Sequence, residues 1–158
     1  MCKDGVRWVY KLERNFAWES KLRVPEDLAF RDKDGIVRLI IEKDGRITVT
    51  RGYAWNGCSP KVCVWDLLIG TPDGVVLEKT GRPKTYYASL VHDALYQFLP
   101  DGSPIRRREV DGCFLRLCAE SEFAPRYVYW AVLRLIGGIV WRATRRARNN
   151  HGIREAIE

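Results

Sequence analysis

The hydrophobic period of this chain changes at Thr85, and that change limits the folds open to it. Before it, VRWVYKLE, VRLIIEKDG and RITVTRGYAW are short runs rich in β-branched and aromatic residues, as strands are. Asp34-Gly35 and Asp44-Gly45 separate them. The second, between VRLIIEK and RITVT, predicts a two-residue hairpin loop of type I′. After Thr85, apolar residues recur at Tyr86, Leu90, Ala94 and Phe98, with Tyr87, Val91 and Leu95 beside them. That spacing predicts a helix buried on most of its circumference. The expected class is α+β: an N-terminal antiparallel sheet, then a motif loop, then three C-terminal helices.

Pro100-Asp101-Gly102 ends the first helix. A second is predicted from about Pro104 to Glu122, with Ser103 as N-cap and Pro104 at the first helical position. Pro125 breaks the chain before a third. At 158 residues and 46% hydrophobic content, one core is expected. The single domain 1–158 divides into a sheet (1–52), a motif loop (53–84), paired helices (85–122) and a basic helix (125–150).

Several classes are disfavoured. The start, MCKDGVRWVYKLERNF, lacks the basic region and apolar run of a secretory signal. The apolar stretch Tyr127 to Trp141 contains Arg134 and a Gly137-Gly138 pair, and it falls short of the ~20 apolar residues of a bilayer span. No transmembrane span is expected. Five cysteines, an odd number, fit reduced thiols better than a disulfide framework. Cys58 and Cys63, like Cys113 and Cys118, are five apart; the helical pair, Cys113 and Cys118, is off a common face, and there is no Cys-x2-Cys turn. No zinc is expected.

Within the first helix, TYYASLVHDALYQF, the charged pair His92-Asp93 interrupts the apolar pattern. On a helix His92 shares a face with Ala88, Ser89, Leu95 and Tyr96, while Asp93 lies about 100° away. The two neighbours therefore address different partners. Asp111, in REVDGCFLRLC, lies beside the apolar positions Phe114, Leu115 and Cys118. A carboxylate bonded to one imidazole nitrogen fixes the tautomer and leaves the other to take a proton from water. Asp93 would then be available to a hard cation such as calcium. Alternatively, three titratable groups buried together form a purely structural pairing.

VHDALY, followed by Asp111 in a second helix, resembles the His-Asp-x-x-Tyr helix of secreted and viral-capsid phospholipases A2. The resemblance implies His92 as general base, Asp111 orienting it, Tyr96 supporting the site and Asp93 binding calcium. YAWNGCS would then supply loop oxygens, with Asn56 and Gly57 as its contribution. It has one glycine where that family has several. From roughly Trp8 to Cys118 the chain is also similar to a phage and prophage family of unknown function. That family has a Thr-Asp-Gly-Ala-Ser-Ile-Pro-like turn, matched by GYAWNGCSPK, and an Ala-x-x-x-His-Asp-x-Leu-Tyr helix, matched by ASLVHDALY. Asn56 stands where that family usually has an acid. This resemblance implies a phage- or prophage-derived protein in the bacterial cytoplasm or the virion, with a host or virion protein as partner.

Charge supplies a third reading. Seven arginines and no acid lie between Arg126 and Arg154, so after Glu155 and Glu158 the last 33 residues carry +5 of the chain's +7. Arg142, Arg145, Arg146 and Arg148 suit anionic lipid or nucleic-acid phosphates. They equally suit a solvated helix end, where the macrodipole favours cations. Three functions stay open: a non-catalytic structural or host-factor-binding protein with a His92–Asp111 clasp, a calcium-dependent ester hydrolase, and a binder of anionic surfaces.

Overall fold

The computed structural model describes residues 10–57, 61–64, 67–70, 76–77, 80–99, 103–148 and 153–156. At 61–64, 67–70, 139–140, 142–148 and 153–156 it describes the backbone alone. The strands are β1 (Tyr10–Lys11), β2 (Phe16–Glu19), β3 (Leu28–Arg31), β4 (Val37–Ile41), β5 (Arg46–Val49), β6 (Ala54–Trp55), β7 (Lys61–Val64), β8 (Leu67–Gly70), β9 (Val76–Leu77), β10 (Arg82–Pro83) and β11 (Ile153–Ala156). The helices are α1 (Tyr86–Phe98), α2 (Arg107–Glu120) and α3 (Arg126–Arg148). An antiparallel sheet followed by three helices makes the protein α+β.

Five strands form the main sheet in the order β11-β3-β4-β5-β2, all antiparallel. Its register aligns two rows of apolar residues across β3, β4, β5 and β2. One is Phe30, Leu39, Val49 and Phe16; the other is Leu28, Ile41, Ile47 and Trp18. Because side chains alternate between faces, both rows point the same way. All but Phe16 are buried, and Phe16 packs against the same core. Helix α1 lies against β4 and β5 and contributes Leu90, Val91, Ala94 and Leu95 to that core, while α2 contributes Val110, Phe114 and Leu117.

The Asp44-Gly45 hairpin corrects the expected two-residue loop. Glu42 N–H donates to the Arg46 carbonyl and Gly45 N–H to the Glu42 carbonyl, each at 2.9 Å, so the loop is Lys43-Asp44-Gly45. Only Gly45 has positive φ, +98°, as in a type I turn closed by a glycine bulge. The core sets this choice. A two-residue loop would place Ile41 opposite Thr48, whereas the three-residue loop pairs Ile41 with Ile47 and keeps both on the buried face. Gly45 is also required sterically, since a Cβ there would meet the Leu22 carbonyl oxygen. Asp32-Lys33-Asp34-Gly35 repeats the device between β3 and β4, with Gly35 N–H on the Asp32 carbonyl at 2.9 Å and φ of +77°.

Three further expectations are revised. The 53–84 segment is not a single loop: β6 pairs with β1, β7 with β8 and β9 with β10. Sheet structure is not confined to 1–52 either, because β11 pairs with β3 along its whole length. Helix α2 begins at Arg107 instead of Pro104. Ser103 Oγ accepts Ile105 N–H at 3.2 Å in a turn, buried Ile105 anchors that turn, and extended Arg106 precedes the helix while Glu109 accepts its N–H at 2.7 Å.

Candidate functional site

Asp111 is the centre of a polar cluster joining all three helices. It is fully buried, a position that costs several kcal/mol for an ionised carboxylate unless bonded partners compensate. Its two oxygens divide those partners. Oδ1 accepts the Tyr96 hydroxyl at 2.7 Å and faces His92 Nε2 at 3.2 Å, both from α1. Oδ2 accepts Arg134 Nη1 from α3 at 2.9 Å and lies 3.8 Å from Arg107 Nε, one turn earlier on α2. Arg107 also donates Nη2 to the Arg134 carbonyl at 2.9 Å, which ties α2 directly to α3.

Helical spacing explains why α1 supplies two partners. His92 and Tyr96 are four apart and share a face, their rings 4.1 Å between centroids. Phe114 of α2 packs edge-on to the imidazole at 5.6 Å. Asp93, whose Oδ1 lies 3.8 Å from His92 Nδ1, also borders a second set of contacts. It shares a face with Ser89 and Gln97, the residues that receive the stretch after β5: Trp55 Nε1 donates to Ser89 Oγ at 3.1 Å and the Tyr53 hydroxyl to Gln97 Oε1 at 3.0 Å. Asp93 also bears electrostatically on Tyr53, whose phenol is held well above its ordinary pKa, first by burial and then by that carboxylate.

The electrostatics follow from the contacts. Burial disfavours the Asp111 anion, but His92, Tyr96 and Arg134 outweigh it and hold its pKa below the ordinary 3.8. Burial likewise opposes the His92 cation, yet Asp111 and Asp93 prevail and raise its pKa above 6.5. Burial, then the bond to Asp111, pushes the Tyr96 phenol far up, so it stays a donor. His92 is 4% exposed, and its second nitrogen, Nδ1, lies 3.8 Å from Asp93 Oδ1. Both ring nitrogens thus face carboxylates, an environment that favours the imidazolium.

His92, Tyr96, Asp93 and Asp111 therefore come together. Among the described residues, no group of three or more His, Cys, Asp or Glu side chains is arranged to hold a metal ion. Calcium takes six to eight oxygens, and the implied donors are few: Asp93, Asn56 and Gly57. Gly57 has φ of +78°, a turn conformation suited to glycine. Cys58, Ser59 and Pro60 lie outside the described residues, as do Cys2 and His151. Positions 142, 145, 146 and 148 lie on α3 with their side chains outside the description. Cys113 and Cys118 are buried thiols. Neither described cavity is lined by His92, Asp93 or Asp111.

Four participants carry no role in the sequence pattern alone: Arg134, Arg107, Gly137 and Gly138. Arg134 is an interruption of an apolar run until α3 is seen to press it onto Asp111; a lone arginine in such a run is the signal. Arg107 lies four residues before Asp111, a spacing at which opposite charges meet on a helix. Helix α3 runs through Gly137 and Gly138 without a break. A Cβ on Gly137 would come within 2.9 Å of the Tyr96 hydroxyl oxygen, and one on Gly138 within 2.9 Å of Arg107 Nη1. The glycines allow α3 to approach the cluster. No family model, no curated protein and no solved structure matches the chain.

Proposed function

We propose that the chain is a phage- or prophage-derived protein with a non-catalytic, structural or host-factor-binding role, and that its His-Asp motif is a polar clasp. The observation that carries this reading is the complete burial of Asp111, on α2, among donors from α1 and α3. A general base needs an accessible lone pair and a pKa near the working pH. His92 is buried and faces carboxylates through both nitrogens, an arrangement that favours a held cation over an accessible proton acceptor. The phage assignment rests on ASLVHDALY and GYAWNGCSPK.

A second reading, a calcium-dependent ester hydrolase of phospholipase A2 type, is favoured by one observation. Tyr96 and His92 share Asp111 Oδ1, as expected of a supporting tyrosine and a base oriented by one acid. His92→Ala separates the readings. For a clasp, the variant loses much of its thermal stability, calcium leaves the wild-type melting temperature unchanged, and the wild type does not hydrolyse phospholipid esters. For a hydrolase, calcium raises the melting temperature, and His92→Ala abolishes ester hydrolysis while remaining folded.

A further inference from the structure

Helix α3 is held along one side only. Tyr129 packs edge-on to Phe123, Leu133 enters the core, Arg134 meets Asp111 and Trp141 packs edge-on to Tyr96. The opposite side carries Val128 and Leu135, which are 64% and 80% exposed. Val128 and Leu135 are seven residues apart and so share a helical stripe. The same register continues to position 142, seven further on, and to position 146, four beyond that. The stripe therefore runs from apolar residues to arginines, in a segment with no acid from Arg126 to Arg154. Strand β11 follows α3 and pairs with β3, so the helix is joined to the folded body beyond its basic end. No described helix is long and apolar enough to cross a membrane.

We infer that the outward face of α3 is a docking surface for an anionic membrane, with the helix lying in the interface plane, Val128 and Leu135 at the acyl boundary and the arginines at the lipid phosphates. Apolar residues beside a basic stretch are the pattern such helices use, binding through buried apolar area and attraction to anionic headgroups together. Duplex nucleic acid would engage the arginines and leave Leu135 and Val128 in water. A second copy packed in parallel would set one arginine stripe against another, a like-charge contact that opposes association.

The test is cosedimentation of the full chain with phosphatidylglycerol and phosphatidylcholine vesicles, with duplex DNA binding and size-exclusion chromatography alongside. The chain is expected to bind phosphatidylglycerol vesicles at low salt, to ignore phosphatidylcholine, and to release at about 0.5 M salt, where exposed charges are screened. Val128→Ser with Leu135→Ser should weaken binding by about tenfold or more, and Arg142→Gln with Arg146→Gln should weaken it by about tenfold. Thermal unfolding should be nearly unchanged in the first pair, whose positions are exposed. The inference fails if phosphatidylglycerol vesicles are not bound, or if binding survives the serine substitutions. DNA binding without vesicle binding would give the face to nucleic acid. A dimer abolished by Leu135→Ser, again without vesicle binding, would give it to a second copy.

Discussion

Asp32 and Asp111 both have depressed pKa values and both meet an arginine, yet they do opposite kinds of work. Asp32 sits at a hairpin and takes its partners from the next six residues: Asp34 N–H and Ile36 N–H at 3.0 Å, and Arg38 Nε at 2.7 Å. Asp111 draws on His92, Tyr96 and Arg134, which reach it from two other helices. The first carboxylate fixes a turn that the local sequence already favours. The second can be buried as an anion only if the three helices are assembled, so its stability and theirs are coupled.

That contrast would break if Asp111 could be removed cheaply. Asp111→Ala strands His92 and Arg134 and is expected to cost about 3–5 kcal/mol, the range for breaking a buried ion pair, measured by urea unfolding. His92→Ala removes one donor and a ring packed against Phe114 and Tyr96; about 2–4 kcal/mol is expected. Gly137→Ala tests the cluster through its backbone approach, by forcing a methyl group against the Tyr96 hydroxyl, and should cost about 1–3 kcal/mol. Gly112→Ala is its control, because a Cβ there meets nothing within 4 Å; it should stabilise α2 by about 0.5–1 kcal/mol.

The pH dependence sharpens the same comparison. A raised folded pKa means that His92 contributes fully below its unfolded value of 6.5 and loses that contribution as pH rises through the folded value. Asp111 and Asp32, both lowered, contribute above 3.8 and lose it as pH falls through their folded values. Stability from these groups should therefore be greatest between about 3.8 and 6.5. His92→Ala should flatten the alkaline limb of the unfolding midpoint, whereas Asp32→Ala should leave that limb intact. The smallest effect is Asp32→Ala itself, about 1 kcal/mol or less by urea unfolding.

Legibility in the sequence follows the same division between near and far. The Asp-Gly turns and α1 were readable because their signals lie within a few residues of what they determine. The hairpin type was not, since the register was chosen by Ile41, Ile47 and their neighbours across the sheet. Asp111 can be matched to His92 because an acid and an imidazole stand out beside the apolar positions of two successive helices. Arg134 could not, because its meaning depends on how α3 crosses α2. Strand β11 was hidden for a related reason: GIREAIE is too short and charged to announce a strand, and β3 supplies the missing partner.

The late arrival of that partner has a consequence for synthesis. Strand β3 emerges early, but one of its two hydrogen-bonded neighbours is β11. At ordinary rates of ~5–20 residues per second, about 6–25 s separate the two segments on the ribosome. Throughout that interval β3 offers a bare ladder of amide and carbonyl groups, the kind of edge that recruits strands from other chains. Strand β11 thus also acts as the closure of an aggregation window.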